Sequence, residues 1–97
     1  MKAGIIFTGT GPILVLTTYE DFSSKAFAEK LLQKGIDKYL AVEVPLEECK
    51  KKYGQHYDVI LKDVKQENDL RVLDYNGFNL FHNFPFSSWG KEYRHEA

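Results

Sequence analysis

Residues 70 to 84 hold two apolar runs, LRVLDY and FNLFHNF, joined by Asn76-Gly77. Asn-Gly between such runs is the strongest short-range signal for a β-hairpin, because a type I′ turn needs φ > 0 at both central residues. The turn also sets the register, and register decides which side chains share a face. With Asn76-Gly77 as the turn, Tyr75 faces Phe78, Leu73 faces Leu80 and Arg71 faces His82 on one side of the sheet. The other side carries Asp74/Asn79, Val72/Phe81 and Leu70/Asn83.

The first third of the chain adds strands to this hairpin. Ala3–Thr8 and Ile13–Thr18 are rich in Ile, Val, Leu and Thr and flank the breaker Gly9-Thr10-Gly11-Pro12. Their almost continuous apolar character predicts strands buried on both faces, central in the sheet. Gly9-Thr10-Gly11 is read as a hairpin turn. A phosphate-cradling loop would have to open onto a helix N-terminus, and here the chain continues as a strand.

A helix follows over Ser24–Lys34, with Asp21, Ser23 and Ser24 as candidate caps and Phe27, Ala28, Leu31 and Leu32 as its apolar stripe. Gly35 then ends it, and Ile36 sits where a Schellman motif returns to Leu31. Lys38–Val44 reads as a strand parallel to Ile13–Thr18 through a right-handed crossover. Pro45 opens a short second helix closed by Gly54, with Leu46, Cys49 and Tyr53 inward. Glu47 and Glu48 lie in its first turn and Lys50–Lys52 in its last, so the triple lysine is the solvated, dipole-compatible end of a helix rather than a nucleic-acid patch. Tyr57–Val64 reads as a strand, Gln66–Asp69 as a loop, and Lys91–Ala97 as a charged tail. The expected fold is therefore α+β: a single mixed β-sheet in the order ββαβαβββ, with one long and one short helix. The 97 residues form one domain whose aromatic-rich C-terminal segment, from about residue 84, is irregular.

Composition narrows function by exclusion. Thirteen basic and 14 acidic residues leave a net charge of −1, too little to draw nucleic acid or a membrane surface. No apolar run approaches the ~20 residues of a membrane helix, and the N-terminal run is split by Gly9, Gly11 and Pro12, unlike a signal peptide. One cysteine, Cys49, precludes an intramolecular disulfide and fits a reducing, cytoplasmic setting. His56, His82 and His95 show no metal-ligand spacing, and no cofactor motif is present. A Cys49/His56 nucleophilic pair lacks a third, orienting residue, so no catalytic residue is assigned.

Two ligand-binding constellations remain. Arg71 and His82, at the far end of the hairpin ladder, offer a guanidinium fork and a second donor to a carboxylate or phosphate. Thr17 and Thr18 end a strand just before a helix, where α/β sheets commonly hold anions, although Glu20 and Asp21 oppose an anion there. Seven of the 14 aromatics lie between Tyr75 and Tyr93, and Phe84, Phe86 and Trp89 fall after the last regular pairing. Base stacking would require basic neighbours, of which this stretch carries few. The three are instead expected to form an oligomer interface with dimer contacts. The sequence thus predicts a non-catalytic, self-associating module that binds a small anionic ligand or a protein partner. The alternative is a small enzyme with its active site at a subunit boundary.

Overall fold

A computed structural model describes residues 1–66, 69–76 and 90–96. The chain is α+β, with a five-stranded sheet between one helix and a pair of helices. Strands β1 (Lys2–Thr8) and β2 (Gly11–Thr17) form the first hairpin, followed by α1 (Lys25–Gln33), β3 (Tyr39–Val44), α2 (Leu46–Tyr53) and α3 (His56–Gln66). Strands β4 (Leu70–Asp74) and β5 (Glu92–His95) complete the sheet, in the order β4-β2-β1-β3-β5.

Every described pairing is antiparallel, where a mixed sheet was expected. The expected crossover is nevertheless present. Both β2 and β3 run antiparallel to β1, and therefore parallel to each other, but β1 lies between them. The α1 crossover passes over an interposed strand, so its two ends never exchange hydrogen bonds.

Side chains alternate about this sheet as strand geometry requires. Ile6, Ile13, Val15, Ala41 and Leu70 meet Phe27 and Leu31 of α1 on one face. Ala3, Ile5, Leu14, Leu16 and Val44 meet Cys49 of α2 and Tyr57, Ile60 and Val64 of α3 on the other. Double coverage explains why β1 and β2 read as nearly continuous apolar runs.

The α1 boundaries follow the predicted signals. The Ser24 hydroxyl accepts the Phe27 N–H at 3.2 Å, a cap worth about 1 kcal/mol. At the other end the Ile36 N–H donates to the Leu31 carbonyl at 3.0 Å, a closure that needs the positive φ of 84° at Gly35. Gly4 is required for a different reason. A Cβ there would lie 2.6 Å from the Phe22 ring, so its absence lets Phe22 press against β1 and stack on Phe27 at 4.8 Å. Helix α2 begins after Pro45 as expected, and its ion pair joins Glu48 to Lys51 at 3.6 Å.

Two segments differ from expectation. His56–Gln66 is helix α3, not a strand over Tyr57–Val64. Tyr57, Ile60, Leu61 and Val64 recur at three- and four-residue spacing and pack on the sheet, whereas Val59 is 67 % exposed. Second, Glu92–His95 is no tail. It pairs with β3, alternating exposed Glu92 and Arg94 with half-buried Tyr93 and His95. The first strand of the expected hairpin is β4, and the Asn76 N–H donates to Asp74 Oδ1 at 2.8 Å; Gly77 and the return strand lie outside the described residues.

Candidate functional site

The sheet has two chemically different ends. Where β1 begins and β3 finishes, charges are paired. The N-terminal ammonium meets Glu20, and Lys2 meets Glu43, whose Oε1 also accepts the Tyr93 hydroxyl at 3.2 Å. Glu43 holds the strand at this end through its backbone as well, accepting the Gly90 N–H at 2.9 Å and donating to the Lys91 carbonyl at 3.0 Å. The hydrogen bond from Lys2 to Glu43 raises the Lys2 pKa above its ordinary range despite some desolvation. The Tyr93 hydroxyl is also raised, by burial first and then by the Glu43 charge. Neither group is a poised base or nucleophile, since each holds its proton more tightly than usual.

The predicted Thr17 and Thr18 site lies at the same end. Thr17 is fully buried, donates to the Asp69 carbonyl at 2.6 Å and accepts the Tyr19 N–H at 3.1 Å. Thr18 reaches the same carbonyl at 3.4 Å. The Ser23 hydroxyl donates to Asp21 at 2.6 Å, an interaction that lowers the Asp21 pKa. The Thr17 and Thr18 hydroxyls tie the end of β2 to the residue before β4, and the Ser23 hydroxyl closes the β2–α1 turn on itself.

Arg71 is one register step from Thr17, beside Leu16, but on the opposite face of the sheet. Its Nη1 donates to Asp63 Oδ2 of α3 at 3.1 Å. Thr17 and Arg71 are therefore not brought to one site. His82, the expected partner of Arg71, and the expected interface residues Phe84, Phe86 and Trp89 lie outside the described residues. Cys49 is fully buried and its thiol is pushed up to about 12 by burial, while His56 is exposed at the start of α3. A thiol so protonated at neutral pH is not a nucleophile.

At the opposite end, where β1 turns into β2 and β3 starts, the surface is open. A cleft of about 580 Å³ is lined by Phe7, Thr8, Tyr39 and Leu40 and carries Lys38, Arg94, His95 and Glu96 on its walls. The His95 ring is fixed by stacking on Tyr39 at 5.1 Å, and Tyr39 in turn meets Phe27 edge-on at 6.0 Å. Lys38 has no ion-pair partner among the described residues. Arg94 lies 3.6 Å from Glu96, with both side chains more than two-thirds exposed. Such a pair contributes at most about 1 kcal/mol, so an incoming carboxylate or phosphate can displace Glu96. These basic groups come from the α1–β3 loop and from β5, 56 residues apart between Lys38 and Arg94, and no local motif announces them. The one signal available was that Tyr93 and His95 alternate as strand residues do.

Among the described residues no three His, Cys, Asp or Glu side chains converge as metal ligands, and no helix is long and apolar enough to cross a membrane. No family model matches the chain, and no curated protein or solved structure matches it.

Proposed function

We propose that the protein is a non-catalytic binding module that takes a small anion, a carboxylate or phosphate, at the cleft of Lys38, Arg94 and His95. The observation that carries this reading is one open cleft at the end of the sheet lined by Lys38, Arg94 and His95, with Arg94 and His95 leaving β5 on opposite faces and Lys38 unpaired among the described residues. Lys38 supplies a point charge, Arg94 a planar fork and His95 a ring held in place by Tyr39. The alternative of a small enzyme draws less support, because Cys49 is buried with its thiol proton tightly held, and Lys2 and Tyr93 are bound to Glu43. A cytoplasmic setting belongs to the same reading, since it keeps the lone thiol of Cys49 reduced.

Inorganic phosphate titrated into the labelled protein should shift Lys38, Arg94 and His95 resonances selectively and saturably. Equal, non-saturating shifts at His56 and His95 would reduce the effect to bulk ions and overturn the assignment. Self-association through Phe84, Phe86 and Trp89 is a separate part of the proposal, resting on the sequence pattern. Because β5 is an integral strand, its test is substitution rather than truncation. Light scattering should give a dimer or larger assembly for the intact chain and a smaller species after Trp89→Ser. A monomer at tens of micromolar would defeat it.

A further inference from the structure

A second cleft, of about 530 Å³, lies across the β1–β2 turn from the first, between the end of α1 and strands β2 and β4. The two have Thr8 in common but differ in chemistry. Here the floor is apolar, built from Ile13, Ile36 and Val72, all packed in the cluster under α1. The rim is polar and already rigid. Thr8 Oγ1 donates to the Gly11 carbonyl at 2.9 Å and accepts the Thr10 N–H at 3.2 Å, while Gly35 and Ile36 are fixed by the α1 closure. A site whose walls are held by their own hydrogen bonds loses little freedom when a ligand enters.

Two side chains give this cleft a preference. Tyr75 lines it and is 82 % exposed, the most exposed large apolar group among the described residues. Single exposed apolar residues are ordinary, but an aromatic ring at the mouth of a concave apolar cleft is a stacking surface. Lys34 is the one charged residue on its described walls. It has no ion-pair partner among the described residues, and no described Asp or Glu lines the cleft to compete for it. Size is consistent as well. A cavity of about 150 Å³ admits benzene, so a single ring with an anionic substituent fits with room for water.

We infer that this cleft binds a small aromatic anion, its ring lying between Tyr75 and the Ile13–Ile36–Val72 floor and its carboxylate or phosphate facing Lys34. The site does not depend on the anion cleft proposed above, since Lys38, Arg94 and His95 take no part in it.

Phenyl phosphate, inorganic phosphate and benzyl alcohol, followed by methyl and aromatic NMR, separate the two sites. Phenyl phosphate should shift the Ile13, Ile36 and Val72 methyls and the Tyr75 ring, whereas inorganic phosphate should leave those methyls still. Tyr75→Ala should weaken phenyl phosphate roughly threefold to tenfold. Lys34→Met should weaken it roughly twofold to fivefold and leave benzyl alcohol unchanged. Unmoved methyls, or a Tyr75→Ala variant that folds and binds as tightly as the parent, would overturn the inference. Methyl shifts that follow protein concentration with no probe present would assign the cleft to a second copy and overturn it too. Shifts at Lys38, Arg94 and His95 with inorganic phosphate bear only on the first cleft.

Discussion

At the end of the sheet where β1 begins, Lys2, Glu43 and Tyr93 bond to one another across three strands, and the N-terminal ammonium is held by Glu20. At the other end, Lys34 and Lys38 stand beside open clefts without a described ionic partner, and Arg94 has only an exposed, distant one. Both ends are polar and both border the same core. The difference is what the charges are for. Those at the first end tie β1 and β5 to the strand between them, β3, and the N-terminus to the β2–α1 turn. Those at the second contribute little to cohesion, which is why the proposed ligand sites are placed there. A residue's charge thus says less about its role than whether the fold has already supplied its counter-charge.

The strongest way to break this contrast is to remove the hinge between the paired end and the core. Phe22 stacks on Phe27 at 4.8 Å, meets Tyr93 edge-on at 5.9 Å and lies under the Lys2 ammonium at 6.0 Å. Phe22→Ala should cost about 3–5 kcal/mol. For a domain of this size each kilocalorie lowers Tm by roughly 4–8 °C, so calorimetry should show a fall of more than about 12 °C. A change of only a few degrees would mean that the paired end is not anchored through this ring.

A second test uses pH. Burial holds the Cys49 thiol up to about 12 against an ordinary 9.0, and the Tyr53 hydroxyl up to about 12 against 10.0. Lys2, Tyr39, Tyr57 and Tyr93 are also raised. The unfolded chain releases these protons first, so between the ordinary and folded values it binds fewer protons than the native state. Stability must then fall as pH rises. Denaturant midpoints should be level through neutral pH and decline from about pH 9, with Cys49→Ala removing the earliest part of the decline. Glu20 and Asp21 work in the opposite sense. Their carboxyls are lowered, by the N-terminal ammonium and by Ser23, so their contribution is lost only in acid. An alkaline limb unchanged by Cys49→Ala would contradict the burial of that thiol.

The same contrast explains what the sequence made legible. Strands β1, β2 and β3 and helices α1 and α2 announce themselves because propensity, apolar pattern and end signals agree at Ser24, Gly35, Pro45 and Gly54. Helix α3 reads as a strand in sequence because Tyr57, Val59, Ile60 and Val64 are residues that strands favour, although the buried ones recur at helical spacing. Strand β5 reads as a tail in sequence because EYRH is charged. Its membership in the sheet comes from a partner strand some 50 residues away, with the Lys2–Glu43–Tyr93 cluster accommodating its polarity. The paired end was partly visible, since Thr17 and Thr18 do sit at a structured turn. The open end is not, because Lys38, Arg94 and His95 line one cleft only when β5 docks on β3.

Removing the counter-charge at the paired end should have a measurable but smaller effect than Phe22→Ala. Glu43→Ala deprives both the Lys2 ammonium and the Tyr93 hydroxyl of their acceptor. Lys2 and Glu43 are each about a third exposed, so water screens the loss, and the cost should be about 1 kcal/mol. Hydrogen exchange should locate it. Protection should fall at Tyr93 and neighbouring amides of β5 while β2 amides keep theirs. Uniform loss across all strands would show that the cluster supports the whole sheet rather than its edge.

The smallest stability effect belongs to Lys38→Met at the open end, and its smallness is informative. Lys38 is exposed and has no described ionic partner, so exchanging its charge for an apolar chain of similar length should move stability by no more than about 0.5 kcal/mol. The same substitution should weaken inorganic phosphate at the Arg94–His95 cleft by roughly twofold to fivefold, the worth of one exposed charge contact. Denaturant melts and phosphate titrations on one pair of samples give both numbers. If Lys38→Met destabilised the protein as much as Glu43→Ala, the open end would be structural like the other, and its charges would have no claim to a ligand.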